Sequence, residues 1–202
     1  MYSVHAKNIQ EYSRQSPENL NAVVLMVVLS IQQNWISVGD QLADVKKNGA
    51  DSRFLWGNKA KAYKYMESRK HFLFSQYLAV LNSKKTDAEK AHSLMKIFLN
   101  VPGLGLVKAG FCCQLTAGLV GCIDLHNIRL YGIDESHLKV SMKVKNKEII
   151  KNKITNYVNI CHAIGTEKLW DNWCNYLSTK NKRWRDGYHV SKVHETYLRN
   201  WA

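Results

Sequence analysis

Apolar side chains recur along the chain mostly at three- and four-residue intervals, and strand-like alternation is scarce. That period marks amphipathic helices and predicts an all-α fold. Ser16-Pro17 has the form of an N-cap with Pro at the first helical position, opening a helix through Asn19–Trp35. Within it, Ala22–Ile31 is almost wholly apolar. At about half the length that crosses a bilayer, it reads as a helix buried in a core. Asp40–Asn48 predicts another helix ending near Gly49. Asn58–Leu81 predicts a long one, with Ala60, Tyr63, Met66, Lys70, Phe74 and Tyr77 along one face. Thr86-Asp87-Ala88-Glu89 has capping-box form and opens the run Ala88–Asn100. A short helix is expected over His126–Tyr131, followed by a turn near Gly132. Ser136–Lys153 alternates lysine with Val140, Met142 and Val144, which admits a strand; the preferred reading is a helix from Lys147 to Ile164. Thr166–Ser178 and Tyr188–Trp201 complete the set around a basic loop, Lys180–Gly187. No repeat or linker interrupts the pattern, so residues 1–202 are read as one domain.

Residues 88–118 hold two helical runs joined at Val101-Pro102-Gly103-Leu104-Gly105. Pro102 cannot continue the first helix, and Gly103 and Gly105 permit the positive φ of a tight hairpin. The second helix then begins with free N–H groups facing outward. Those amides and the helix dipole both favour an anion.

Charge suggests which anion. The chain carries 29 Lys+Arg against 16 Asp+Glu, a net charge of +13, with thirteen basic and five acidic residues between Leu138 and Ala202. Such an excess attracts polyanions, and double-stranded DNA is preferred as partner over a membrane surface; a merely solvated basic face is the plain alternative. Lys182, Arg183 and Arg185, interleaved with Trp184, suit backbone contact combined with stacking. At 202 residues and 46% hydrophobic, the chain supplies one sizeable core. Its five cysteines are odd in number and lack CxxC spacing, which argues against a disulfide framework and a structural zinc site. Cys112 and Cys113 read as buried thiols. Met1–Asn21 is polar and shows no secretory signal. A soluble monomer in a reducing cytoplasm is expected. The Lys/Asn-rich makeup suits a phage or small-genome source, and a host cytoplasm in the phage case.

The hairpin at 101–105, followed by Ile123-Asp124-Leu125-His126, resembles the helix-hairpin-helix DNA glycosylase superfamily, the endonuclease III and adenine glycosylase group. Its members carry Leu-Pro-Gly-Val-Gly and, about twenty residues on, Val-Asp-Thr-His with a catalytic Asp. Upstream, Val28-Leu29-Ser30-Ile31-Gln32-Gln33 resembles the family's Leu-Leu-Ser-x-Gln block, whose glutamine fills the gap left by a flipped base. The three blocks span roughly residues 20–130. The resemblance implies a helical bundle of two intimately packed subdomains, with the N- and C-terminal helices together. It implies catalytic Asp124, DNA contacts at Gly103, Gly105, Gln32 and Gln33, and a monovalent cation on hairpin carbonyls. Some relatives hold an iron–sulfur cluster on four C-terminal cysteines. Only Cys161 and Cys174 lie there, so no cluster and no required cofactor are expected. Bifunctional relatives use a lysine in Gly-x-Gly-x-Lys as a Schiff-base amine. Val107 occupies that position and Lys108 comes one later, so base release without efficient strand nicking is expected.

Breaking an N-glycosidic bond develops positive charge on the sugar, which a nearby carboxylate stabilises. Asp124 fits that role by motif, and it fits a plain N-cap equally well. Lys108 is a candidate amine, and otherwise a phosphate contact or solvated side chain. His126 suits a local hydrogen bond rather than a metal. Gln32 and Gln33 read either as gap-fillers or as ordinary helix-end glutamines. Of six tryptophans, one is a candidate stacking partner for an extrahelical base, while Trp170 and Trp173 have core spacing. A DNA-binding module without chemistry remains the main alternative. A base-modifying enzyme on the same scaffold is a third, although no P-loop or dinucleotide fingerprint is present.

Overall fold

The polar opening of the chain, where periodicity predicts no element, forms helix α1 (Ser3–Ser13) in a computed structural model describing residues 3–33, 35–138, 146–180, 186–199 and 201. Its buried side includes Ala6 and Ile9 as well as His5 and Ser13. The polar pair is admitted because partners reach it from far along the chain. Glu195 lies 2.6 Å from the His5 ring, and Ser13 donates to the carbonyl of Thr116. Buried polar groups are tolerated only when so paired.

Helix α2 (Pro17–Leu29) begins as expected: Ser16 accepts from the Asn19 amide at 3.1 Å, and Pro17 takes the first turn. Every residue from Leu20 to Leu29 is buried. The helix is accordingly central, with α1, α3 (Val38–Asn48), α4 (Asn58–Leu81) and α6 (Leu106–Ala117) around it. It stops at Leu29 rather than running to Trp35, and Ser30–Gln33 form a turn. On α4 the buried stripe is Lys59, Ala62, Met66, Leu73 and Tyr77, which shares only Met66 and Tyr77 with the expected face.

Helix α5 (Asp87–Phe98) carries the capping box in full. Thr86 Oγ1 accepts from the Glu89 amide at 3.3 Å, and Glu89 Oε2 accepts from the Thr86 amide at 2.9 Å. Next come α7 (Leu125–Tyr131), α8 (Lys147–Ile164), α9 (Thr166–Lys180) and α10 (Gly187–Arg199). Among the described residues there is no strand. The lysine-rich alternation before α8 falls on 139–145, outside the described residues, as do Lys182, Arg183, Trp184 and Arg185. α10 packs on α9 and α1. No described helix is long and apolar enough to cross a membrane.

Two features of the core bear on the site. Trp35, Phe111 and Trp173 meet pairwise with ring centroids 5.0–5.1 Å apart, and Trp170 lies 5.4 Å from Trp173. Three of the five described tryptophans are thus core residues. All five cysteines are free thiols inside the protein. Burial pushes Cys161 up to about 12 and raises Cys112, Cys113 and Cys122 as well.

Candidate functional site

The junction of α5 and α6 is a hairpin anchored from inside by Val101 and Leu104, both buried. The Val101 amide donates to Phe98 at 3.0 Å, and the Leu104 amide to Val101 at 3.1 Å. Gly103 has φ +84°, a conformation that disfavours a side chain; a Cβ there would also lie 2.9 Å from Asn58 Cβ. Gly105 differs from expectation. Its backbone is extended at φ −90° and ψ −178°, with nothing within 4 Å of a Cβ. It is the N-cap of α6 and supplies no side-chain hydrogen bond, so the first-turn amides have no capping side chain. Both glycines are exposed. The arrangement presents backbone N–H groups to an incoming anion.

From α6 the chain turns at Gly118 and runs through Cys122 and Ile123 to Asp124. This stretch is fastened to α8 and α6. The Tyr157 hydroxyl donates to the Gly121 carbonyl at 2.8 Å and accepts from the Ile123 amide at 3.0 Å. Gln114 Oε1 accepts from the Cys122 amide at 2.9 Å, and Asn127 donates to the Cys122 carbonyl at 2.8 Å. Asp124 is therefore held by groups up to 33 positions away in sequence, none of which its motif contains. Tyr157→Phe should cost about 1–3 kcal/mol, because it strands a buried carbonyl and a buried amide. Urea unfolding measures this, and an unchanged midpoint would refute the anchoring role.

Asp124 caps α7, with Oδ1 accepting from the Asn127 amide at 2.9 Å. The N-cap reading is thus realised, and it leaves Oδ2 out of that bond. Burial raises the carboxyl above the usual aspartate range; the capping N–H, His126 and Lys108 partly oppose it. The His126 ring stacks on Tyr176 with centroids 4.1 Å apart, a contact the sequence does not reveal.

Lys108 is half-buried rather than a freely solvated side chain. Its Nζ donates to Ser30 Oγ at 2.8 Å, and Ser30 Oγ donates to the Val27 carbonyl at 2.6 Å. A second lysine joins it there. Lys59 is only 3% exposed and donates to the Leu29 carbonyl at 2.7 Å. Cations at a helix C-terminus complement its dipole, which gives this pair a place at the end of α2. Burial lowers both amines; Lys108 adds to the effect on Lys59, while Cys122, Cys112 and Asp124 oppose it at Lys108. Sequence reasoning passes over Lys59, because its partner is a backbone carbonyl 30 residues away. Val107 is half-buried against the core.

Gln32 and Gln33 lie beyond the end of α2, both exposed on the turn that Lys59 and Lys108 underpin. Gln32 has φ +54°, the only non-glycine at positive φ among the described residues. A side chain held there signals a conformation imposed by its surroundings. Hairpin, lysine pair and glutamine turn thus form one neighbourhood, and the Asp124 charge is felt at Lys108. A cavity of about 290 Å³ opens elsewhere, between α1 and α10, beside Asn8, Tyr12 and Glu195. Neither it nor the two smaller cavities found are lined by Asp124. Among the described residues no group of three or more His, Cys, Asp or Glu is placed to hold a metal. The chain matches no protein-family model, no curated protein and no solved structure at a significant level.

Proposed function

We propose that the chain adopts the helix-hairpin-helix glycosylase fold and is a DNA N-glycosylase, binding duplex DNA and hydrolysing the bond between a flipped base and its sugar. The observation that carries this reading is the uncapped N-terminus of α6, opening beside the exposed Gly103 and Gly105, with Lys108 of the same helix bonded to the turn that carries Gln32. In this reading the first-turn amides of α6 take a backbone phosphate at the exposed Gly103 and Gly105. Gln32, fixed at the tip of its turn, fills the space the base leaves. Asp124, as a carboxylate, opposes the positive charge that develops on the sugar. Lys108, half-buried and bonded to Ser30, is the candidate amine of the site. The carbonyls of Phe98, Val101 and Gly105 each accept one backbone N–H and retain a second lone pair. A monovalent cation is therefore compatible with the hairpin, and no step depends on it.

The test is incubation with duplexes carrying assorted damaged or modified bases, followed by alkali and strand analysis. Alkali-dependent cleavage at one class of base is the expected result. With Val107 in the position of the Schiff-base lysine and Lys108 held by Ser30, borohydride should trap little protein–DNA adduct. An efficient adduct that disappears in Lys108→Ala would make the enzyme a lyase. A second reading, a DNA-binding module without chemistry, draws on the capped state of Asp124. Tight duplex binding without an alkali-labile site on any substrate would establish that one instead.

A further inference from the structure

The described tryptophans divide sharply. Trp35, Trp170 and Trp173 are 6% exposed or less, and Trp201 is half-buried, whereas Trp56 is 51% exposed. An indole left half in water forgoes much of the hydrophobic stabilisation that its size offers. Yet the segment carrying it is tightly fixed. Ser52 Oγ donates to Asp44 Oδ2 at 2.5 Å and accepts from the Phe54 amide at 3.3 Å. The Leu55 amide donates to Ser52 at 3.0 Å, and the Lys59 amide to Trp56 at 3.0 Å. Phe54 and Leu55 pack against the core. The ring itself lies over the Lys59 ammonium, 5.2 Å from its centroid, and that ammonium is tied to the Leu29 carbonyl. A buried cation thus holds the ring by a cation–π contact.

Position decides what such a ring serves. Asn58, two residues on, abuts Gly103 of the hairpin, and Lys59 reaches the turn that carries Gln32. Trp56 therefore stands between the two parts of the site assigned to DNA. Exposed Arg53, Lys61 and Lys64 surround the segment with positive charge, complementary to a nucleic-acid backbone. We propose that Trp56 is a stacking subsite for an unpaired nucleobase, its ring held at the edge of the hairpin by Lys59. The proposal rests on the DNA-binding reading above. Every base offers a π-face, so the subsite recognises displacement from the duplex rather than base identity. Its ring is pre-positioned, so little ordering entropy is lost when a base arrives.

The test compares a duplex containing one bulged base with its fully paired counterpart, by fluorescence anisotropy at low salt. The wild type should bind the bulged duplex more tightly. Trp56→Ala should lower that affinity about tenfold and leave the paired duplex within about twofold, and Trp56→Phe should restore most of the loss. Equal loss on both duplexes, no loss, or a wild type indifferent to the bulge would overturn the subsite while leaving DNA binding in place. A wild type that binds neither duplex would overturn the DNA reading and the subsite together.

Discussion

Asp124→Asn is expected to lower base release about a thousandfold without harming the fold or DNA affinity. Only the transition state carries the positive sugar that the carboxylate opposes, so ground-state binding has nothing to lose. The cap should survive, because Asn accepts from the Asn127 amide as well as Asp does. Stability should even improve at neutral pH. Burial raises the Asp124 carboxyl above its unfolded value, so folding favours its neutral form. That contribution is complete below the ordinary aspartate range and is lost as pH rises through the raised value. Asn never ionises, and the gap in melting temperature between variant and wild type should open over that window. Base release by the wild type should rise over the same window, since catalysis needs the carboxylate. Wild-type rates in Asp124→Asn would reduce Asp124 to a cap.

The second large effect separates the two hairpin glycines. Gly105→Ser should leave the melting temperature unchanged or raised, because the backbone is extended, the space is open and Ser is a favoured N-cap. Its side chain would nonetheless occupy the approach to the α6 amides and compete for them. Duplex affinity should fall about ten- to a hundredfold, and the salt dependence should lose about one ion. Gly103→Val should damage both stability and binding, since its φ of +84° and the nearby Asn58 oppose a side chain. Titrations at several salt concentrations, with thermal melts alongside, measure both. Undiminished binding by Gly105→Ser would place the phosphate elsewhere.

What the sequence announced was local. Thr86 with Glu89, Ser16 with Pro17, and the ends at Gly49 and Gly132 are written in residues within a few positions of one another, and they appear as expected. Several of the failures share one cause, which is long-range pairing. α1 buries His5 and Ser13 only because Glu195 and Thr116 wait for them. α2 stops at Leu29 without a Gly or Pro, where Lys59 and Lys108 hold its last turn. Lys59 and Trp56 gained no weight from spacing, since burial of one and exposure of the other depend on elements that meet only in the fold. Asp124 stands out by motif as a candidate; the Tyr157 and Gln114 contacts that fasten the residues before it do not.

The five enclosed thiols have a practical consequence. Nucleophilic sulfur must be ionised and reachable; here all five are buried, and burial also opposes ionisation of Cys112, Cys113, Cys122 and Cys161. Alkylating reagents and peroxide should therefore pass over the native chain and mark only molecules that have opened. Since the cysteines are spread over α6, the approach to Asp124, α8 and α9, the order in which they become modified records which part of the protein opens first. The chain carries its own clock for opening, read by mass spectrometry without adding a label to its outer surface.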